Sequence, residues 1–311
     1  MFDFPVLVRL NSANFRFDKA KNGGSDIRFT KSNNTPLAYE IARWDSAGSL
    51  AEVWVLIDTV YGNDSTHYVL MRWGNSLASS LSDAAAVFDT SEGFQGVWHM
   101  EAGSQTARDA TKNHFNGISG GAVAPDSTPG TIGSARRFDG SSQFYNIPGS
   151  ASGRLNFTFN GPYTISAWVF VDNPAPSMYT LVSKGISQYS VFIDSALSWN
   201  FGFTNATMYQ KVTGPKAAFN TWKYITCIRN GAYEYFYENG TQVSTSGLNY
   251  PMPLPYSTAQ NVTIGKDPAL GAGFFSGIID EVSIANVARS ADWIRLSYRN
   301  QKNPDALLVF K

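Results

Sequence analysis

The chain has a single cysteine, Cys227, and only three histidines among its 311 residues. An intrachain disulfide is therefore impossible, and the Cys/His spacing that holds a structural zinc ion is missing. Rigidity must come from the packing of apolar side chains. The hydrophobic fraction of 43% and the aromatic fraction of 14% supply enough material for a full core, and they argue against disorder.

An excess of charge of one sign is also missing, since Lys+Arg and Asp+Glu both number 24. Without a basic run, binding to nucleic acid or to an anionic membrane through charge is not expected. No apolar run of about 18 residues occurs, so no membrane insertion is predicted. The segment that follows Met1 is strand-like and lacks the basic and apolar regions of a signal peptide. Taken literally, this start indicates a cytoplasmic protein; the alternative is an exported protein whose leader or preceding domain is missing.

Helical periodicity is scarce and is confined to Ser290–Tyr298, where Ser290 is a candidate N-cap and Trp293, Ile294 and Leu296 are expected to face inward. Elsewhere, short runs of β-branched and aromatic residues alternate with Gly, Asn and Pro. The regular spacing of many short strands predicts an all-β protein containing an antiparallel sandwich or jelly roll.

One hairpin is predicted in detail. The Asn239-Gly240 pair between two strand-like runs is the strongest short signal for a type I′ turn. Its register places Tyr233, Tyr235 and Tyr237 on one face of the strand and Phe236 on the other.

Two domains are expected from the composition. Residues 75–90 are rich in Asn, Ser and Ala, which is typical of a linker. We place the boundary near residue 85, so that residues 1–85 form a small β-domain and residues 86–311 form a larger β-sandwich.

The larger part carries a series of motifs that resembles the LamG-like (concanavalin A-like) jelly roll. The motifs occur in the order of that family, namely Asp109–Gly117, Gly133–Gly140, Tyr163–Val169, Leu181–Gly185, Trp222–Ile228, Tyr237–Gly240 and Gly277–Val282. The resemblance implies an antiparallel jelly roll.

The first part is similar to a bacterial domain of unknown function that often precedes a LamG-like domain. The matching segments are Phe4–Val8, Gly24–Phe29, Pro36–Ile41, Glu52–Val55 and Trp73–Asn75. Proteins of this architecture are typically large and exported, and some are associated with MotA/TolQ/ExbB-type proton channel components. The resemblance therefore implies an extracytoplasmic location, whether secreted, periplasmic or on the cell surface, and flanking domains of a larger protein.

Catalysis is not expected, because the paired carboxylates of the glucanases with this fold are missing. Those enzymes carry a Glu-x-Asp core on one strand, and no Glu-x-Asp triplet occurs here. Glu234 and Glu238 are roughly 13 Å apart on a strand, and the neighbours Asp280 and Glu281 should point to opposite faces. A retaining glycosidase needs a separation of roughly 5 Å. Cys227, in mid-strand, is expected to be a buried apolar residue rather than a nucleophile.

Non-catalytic binding of a polysaccharide or glycan is the favoured function, because sugars stack on aromatic rings and pair with polar side chains. The candidate ligand-binding residues are Trp168, Trp199, Tyr179, Tyr209 and Phe274. Trp199 could instead lie in the core, and Trp168 either in a second layer or on a concave face. Tyr179, Tyr209 and Phe274, like Tyr250 and Tyr256, are expected to be exposed in loops. The alternative is a structural adhesion or spacer module with a protein partner; a glycoside hydrolase comes third.

A calcium ion is also implied by the resemblance, since many LamG-like domains hold one through oxygen ligands. Asp139, Gly140 and Asp280 occupy the matching motif positions, and carboxylates with backbone carbonyls are the ligands that calcium prefers. The alternative is that these residues cap turns and accept backbone hydrogen bonds.

Overall fold

The computed structural model of the chain describes residues 1–311 except 102, 104, 150–152, 159–160, 173–176, 186–187, 205–208, 248–258, 270 and 303–306. The chain forms two compact units, one of Met1–Glu92 with Arg299–Lys311 and one of Gly93–Tyr298. The last residues thus cluster with the first unit, a difference from the predicted division. The physical reason is a pair of hydrogen bonds in which Leu7 N–H donates to Asn300 Oδ1 over 2.7 Å and Asn300 Nδ2 donates to Leu7 O over 3.0 Å.

The first unit is built on short antiparallel sheets. Its elements are β1 Phe2–Asn11, β2 Arg28–Lys31, β3 Tyr39–Asp45, β4 Leu50–Thr59, β5 Val69–Arg72 and α1 Ala84–Val87. Strands β1, β4 and β3 form one sheet in that order, and β2 pairs with β5. Trp54 of β4 is buried against the edge of Phe88, with the ring centroids 5.6 Å apart.

The second unit is a sandwich of two eight-stranded sheets. Its strands are β6 Phe94–Trp98, β7 Thr106–Ala107, β8 Gly117–Ser119, β9 Asp126–Pro129, β10 Ser134–Asp139, β11 Tyr145–Ile147, β12 Tyr163–Val171, β13 Tyr179–Ser183, β14 Ser190–Ile193, β15 Ser198–Thr204, β16 Tyr209–Lys216, β17 Trp222–Asn230, β18 Tyr233–Glu238, β19 Thr241–Gly247, β20 Val262–Ile264 and β21 Ser276–Ala285. The first sheet has the order β19-β18-β17-β12-β21-β10-β9, with β6 also paired to β21. The second sheet has the order β16-β15-β14-β13-β20-β11-β8-β7. Every named strand pair is antiparallel, which confirms the predicted fold class.

The main core lies between these two sheets, because alternate residues of each strand point inward. In β12, Ile165, Ala167 and Val169 belong to this core. The residue between the last two, Trp168, points to the outer face, where it packs in a second cluster with Ile294. Alternation along one strand thus serves two apolar layers.

The outer layer is provided by helix α2, Ala291–Gln301, whose residues up to Tyr298 belong to the second unit. The Trp293 N–H donates to the Ser290 hydroxyl over 3.2 Å, so Ser290 is the predicted N-cap. Ile294 is buried, while Trp293 and Leu296 are half-buried. The predicted helix is therefore confirmed, and it ends at Gln301 rather than at Tyr298.

The predicted hairpin is also confirmed. Asn239 and Gly240 both have positive φ angles, 52° and 79°, as a type I′ turn requires. Phe236 lies in the main core, whereas Tyr237 packs in the outer cluster. No helix among the described residues is long and apolar enough to cross a membrane.

Candidate functional site

A tight turn follows strand β10 and is held by the carboxylate of Asp139. This carboxylate accepts hydrogen bonds from the N–H groups of Ser141, Ser142 and Gln143 over 2.9, 2.8 and 3.1 Å. The hydroxyls of Ser141 and Ser142 donate to its other oxygen over 2.9 and 2.7 Å. Partial burial acts to raise the pKa of Asp139, but these hydrogen bonds outweigh it and hold the pKa well below its usual range. The turn therefore fixes the backbone position from which the side chain of the next residue, Phe144, projects.

A second segment is fixed by Gly265, directly after β20. Its N–H donates to Leu181 O and its carbonyl accepts from Phe275 N–H, both over 2.9 Å. Its φ is +91°, and a Cβ here would lie 2.6 Å from the ring of Phe138. Only glycine fits this position without displacing the core. The conformation of Gly265 therefore sets the direction of the following side chain, Lys266.

A third segment, residues 273–276, joins the other two through the backbone. Gly140 N–H donates to Phe275 O over 2.9 Å, which ties this segment to the Asp139 turn. At its start, Thr180 N–H donates to Gly273 O over 2.9 Å. The Asp139 turn and the two later segments, which are distant from that turn in sequence, therefore meet at one place in the sandwich.

The side chains of Phe144, Lys266 and Phe274 come together at this meeting point, and we call them the aromatic–lysine cluster. The two ring centroids are 6.1 Å apart, with the ring planes inclined by 60°. Lys266 Nζ lies 4.6 Å from the Phe144 centroid and 4.9 Å from that of Phe274. All three side chains are half-buried, so they remain partly accessible to solvent. The cluster combines aromatic surface with a hydrogen-bond donor that carries a positive charge.

Of the predicted ligand-binding residues whose side chains the structure describes, only Phe274 lies in this cluster. Tyr179 is 8% exposed and belongs to the sandwich core, so the expectation that it is exposed was wrong. It lies in strand β13 rather than in a loop, and its position in the alternation directs it inward. Tyr209 lies in β16, but its side chain is outside the described residues, as are Tyr250 and Tyr256.

The two predicted tryptophans are both covered. Trp199 is 1% exposed in the main core, so it follows the core alternative and is not available to a ligand. Trp168 is 3% exposed and lies in the second layer, with its ring centroid 5.3 Å from that of Tyr224 and 5.8 Å from that of Tyr298. A sugar could reach either ring only if the packing opened.

Phe144 and Lys266 were missed by reasoning from the sequence. For Phe144 a signal was available, because it alternates with the core residues Tyr145 and Ile147 and should therefore point outward. For Lys266 no comparable signal exists, since its direction depends on the unusual backbone of Gly265.

The structure does not bring the predicted calcium ligands to one point. Asp139 of β10 pairs with Ser276 of β21. Asp280 lies four residues further along β21, roughly 13 Å from Ser276. Asp280 Oδ2 accepts the N–H groups of Thr131 and Ile132 over 2.8 and 3.0 Å. Among the residues described, no group of three or more His, Cys, Asp or Glu side chains could hold a metal ion. Asp139, Gly140 and Asp280 thus do not form a single site, and calcium binding itself stays a prediction.

The acidic side chains considered for catalysis are buried or paired with other residues. Glu238 accepts from Lys223 Nζ over 2.7 Å, and Glu234 is fully buried. Asp280 and Glu281 lie at a β-bulge, where Glu281 has a φ of 50° and the register with β12 shifts. Glu281 Oε2 is 2.7 Å from His99 Nδ1, and both residues are buried. The simple expectation of opposite faces did not foresee this bulge, because it depends on pairing with two neighbouring strands.

The sequence profile of the concanavalin A-like lectin/glucanase superfamily matches residues 139–295, which is more than half of the chain. The chain therefore belongs to this superfamily. A second profile, of a domain of unknown function, matches residues 23–102. A search of curated protein sequences gave no match.

Solved structures show the same fold at low sequence identity. The binding domain of Paraclostridial Mosquitocidal Protein 1 is 14% identical, with a TM-score of 0.55 over 67% of this chain and 52% of that chain. The receptor binding domain of botulinum neurotoxin D is 12% identical, with a TM-score of 0.53 over 68% and 53%. A Trypanosoma rangeli sialidase is 13% identical, with a TM-score of 0.51 over 81% and 41%. The chain thus spans about half the length of the two binding domains and less of the sialidase.

Proposed function

We propose that the second unit is a non-catalytic carbohydrate-binding module of a larger extracytoplasmic protein, and that it contacts its glycan through the aromatic–lysine cluster. The single observation that carries this proposal is the accessible pair of phenyl rings at Phe144 and Phe274 with Lys266 between them. The C–H face of a sugar stacks on such rings, and its hydroxyls accept from an ammonium group. Membership of a lectin-containing superfamily and the match to toxin binding domains support a binding module in general.

The absence of turnover forms part of the proposal. Glu234 and Glu281, one from each of the acidic pairs considered for catalysis, are both buried in the packed sandwich. A glycosidase needs two carboxyl groups on either side of an accessible sugar bond. Release of reducing ends from a panel of polysaccharides, abolished by Glu281→Gln, would contradict this part.

The test of binding is an unbiased glycan array with the full chain and two variants. The double change Phe144→Ala with Phe274→Ala should weaken binding to any positive glycan about tenfold or more, because it removes both stacking surfaces. Tyr233→Ala is the matched control, since Tyr233 is an aromatic residue of strand β18 with 53% of its surface exposed. The affinity of Tyr233→Ala for the glycan should equal that of the unmodified protein.

Two outcomes would count against the proposal. Equal loss in the control would show that the effect is not specific to the cluster. A chain that binds no glycan on the array would favour the structural adhesion or spacer alternative, in which the partner is a protein.

A further inference from the structure

The charge of Lys266 has no anionic partner in the part of the chain that the structure describes. Its ammonium contacts the two phenyl rings and forms no ion pair there. The neighbouring carboxylate of Asp267 is 3% exposed and accepts the Ala269 N–H over 2.8 Å. The exposed carboxylate of Asp139 accepts five hydrogen bonds from its own turn. The positive charge is therefore available to an external anion.

The contact with the rings is weaker than the contact that an anion would offer. The rings offer the ammonium no hydrogen-bond acceptor of the usual kind, whereas a carboxylate would accept a charge-assisted hydrogen bond from it. An anionic ligand can therefore draw Lys266 Nζ away from the rings of Phe144 and Phe274. That movement would also free the ring faces for stacking.

From this geometry we propose that the aromatic–lysine cluster selects sugars that carry a carboxylate, with the carboxylate paired to Lys266 Nζ and the C–H face of the sugar stacked on Phe274 or Phe144. This inference rests on the proposed carbohydrate-binding function and adds the chemical class of the glycan. A sugar without the carboxylate would have to compete with the ammonium for the rings. The cluster therefore prefers a sugar residue that carries both a carboxylate and a C–H face that can stack on a ring.

The experiment compares two ligands that share one sugar backbone and differ in whether the carboxyl group is charged or methyl-esterified. Oligogalacturonate and its fully methyl-esterified form share the same sugar backbone, and calorimetric titration at low salt gives both affinities for the full chain. We expect the acid form to bind at least tenfold more tightly, and its affinity to fall as salt is added. A second pair, sialyllactose and lactose, distinguishes a sialic acid from a uronic acid as the source of the carboxylate.

Two variants test whether the preference for the acid form depends on Lys266. Lys266→Gln should remove the difference in affinity between the acid and the ester. Lys216→Gln is the matched control, since Lys216 is an exposed lysine of strand β16 outside the cluster. It should keep the full preference for the acid.

The outcomes separate this inference from the function on which it rests. Equal binding of acid and ester by the unmodified chain would overturn the carboxylate preference and leave carbohydrate binding intact. A preference that survives Lys266→Gln would overturn the role of this lysine. If no glycan of either pair or of the array binds, both proposals fail together.

Discussion

Glu234 should make the stability of the second unit depend strongly on pH. Its side chain is fully buried, and neither carboxylate oxygen has a hydrogen-bond partner among the residues that the structure describes. Its register partner on the neighbouring strand is Arg229, whose guanidinium lies 4.3 Å from the centroid of Phe203. Burial raises the pKa of Glu234 from 4.5 to about 8, and the charge of Arg229 opposes this only in part.

The sign of the effect follows from proton binding. Between pH 4.5 and 8 the folded state keeps the proton on Glu234, whereas the unfolded chain loses it. The unfolded state then binds fewer protons, so the free energy of unfolding falls as pH rises through this window. With about 1.4 kcal/mol for each pKa unit, the loss between pH 5 and pH 8 amounts to about 3 to 4 kcal/mol. Glu234→Gln should remove this dependence, because its amide does not titrate.

Cys227 provides a local assay. It is the only cysteine of the chain and is buried in the same core, opposite Phe236 in the register of β17 and β18. Its rate of thiol labelling, corrected at each pH for the rate in the unfolded chain, reports opening of this unit alone. From pH 5 to pH 8 the corrected opening constant should rise between about a hundredfold and a thousandfold more in the unmodified protein than in Glu234→Gln.

The control is a second glutamate on the same strand. Glu238→Gln removes a half-buried carboxylate that is paired with Lys223, so it should leave the slope with pH close to that of the unmodified protein. Parallel curves for Glu234→Gln and the unmodified chain would refute the reasoning, because they would show that Glu234 is ionised in the folded state.

Three further predictions concern stability. Gly265→Ala should destabilise the second unit by several kcal/mol, since the new Cβ would clash with Phe138. The control Gly231→Ala has a φ of 58° and open space around it, so it should cost only about 1–2 kcal/mol. Equal costs for the two variants, measured by thiol labelling, would contradict the clash. Ser290→Ala should cost about 1 kcal/mol through the lost N-cap, measured as a lower melting temperature, and no change would mean that water replaces the cap. Bound calcium would make a chelator lower the melting temperature by mass action, and an unchanged melting temperature together with no calcium by elemental analysis would remove that prediction.

The fold was predictable because alternation and turn chemistry act locally. Asn239-Gly240 forms its own turn, and Ser290 caps helix α2. The alternation of Trp199 with Phe201 indicated the core position that both residues occupy. These features depend on residues within a few positions of one another, so a single sequence is enough to identify them.

The candidate site was only partly predictable because it depends on contacts between distant segments. Phe274 was identified, but for the reason that it is an aromatic residue in a segment with small or polar neighbours and little apolar periodicity, and the same reason was applied to the core residue Tyr179. The partners of Phe274 are 130 and 8 positions away in the sequence, as the numbers of Phe144 and Lys266 show. Their meeting depends on backbone hydrogen bonds at Gly140 and Gly265, which no periodicity reveals.

The way in which the cluster is attached to the sandwich bears on how binding can be tuned. Phe144, Lys266 and Phe274 are partly exposed, whereas the groups that direct them are the Asp139 carboxylate and the glycine backbone at 140 and 265. Changes at the three side chains should therefore alter ligand choice at a modest cost in stability, because these side chains are only half-buried. Changes at Asp139 or Gly265 should alter both together, because they move the segments that carry the cluster. A paired measurement of affinity and melting temperature across these two groups of variants separates contact with the ligand from support of the site.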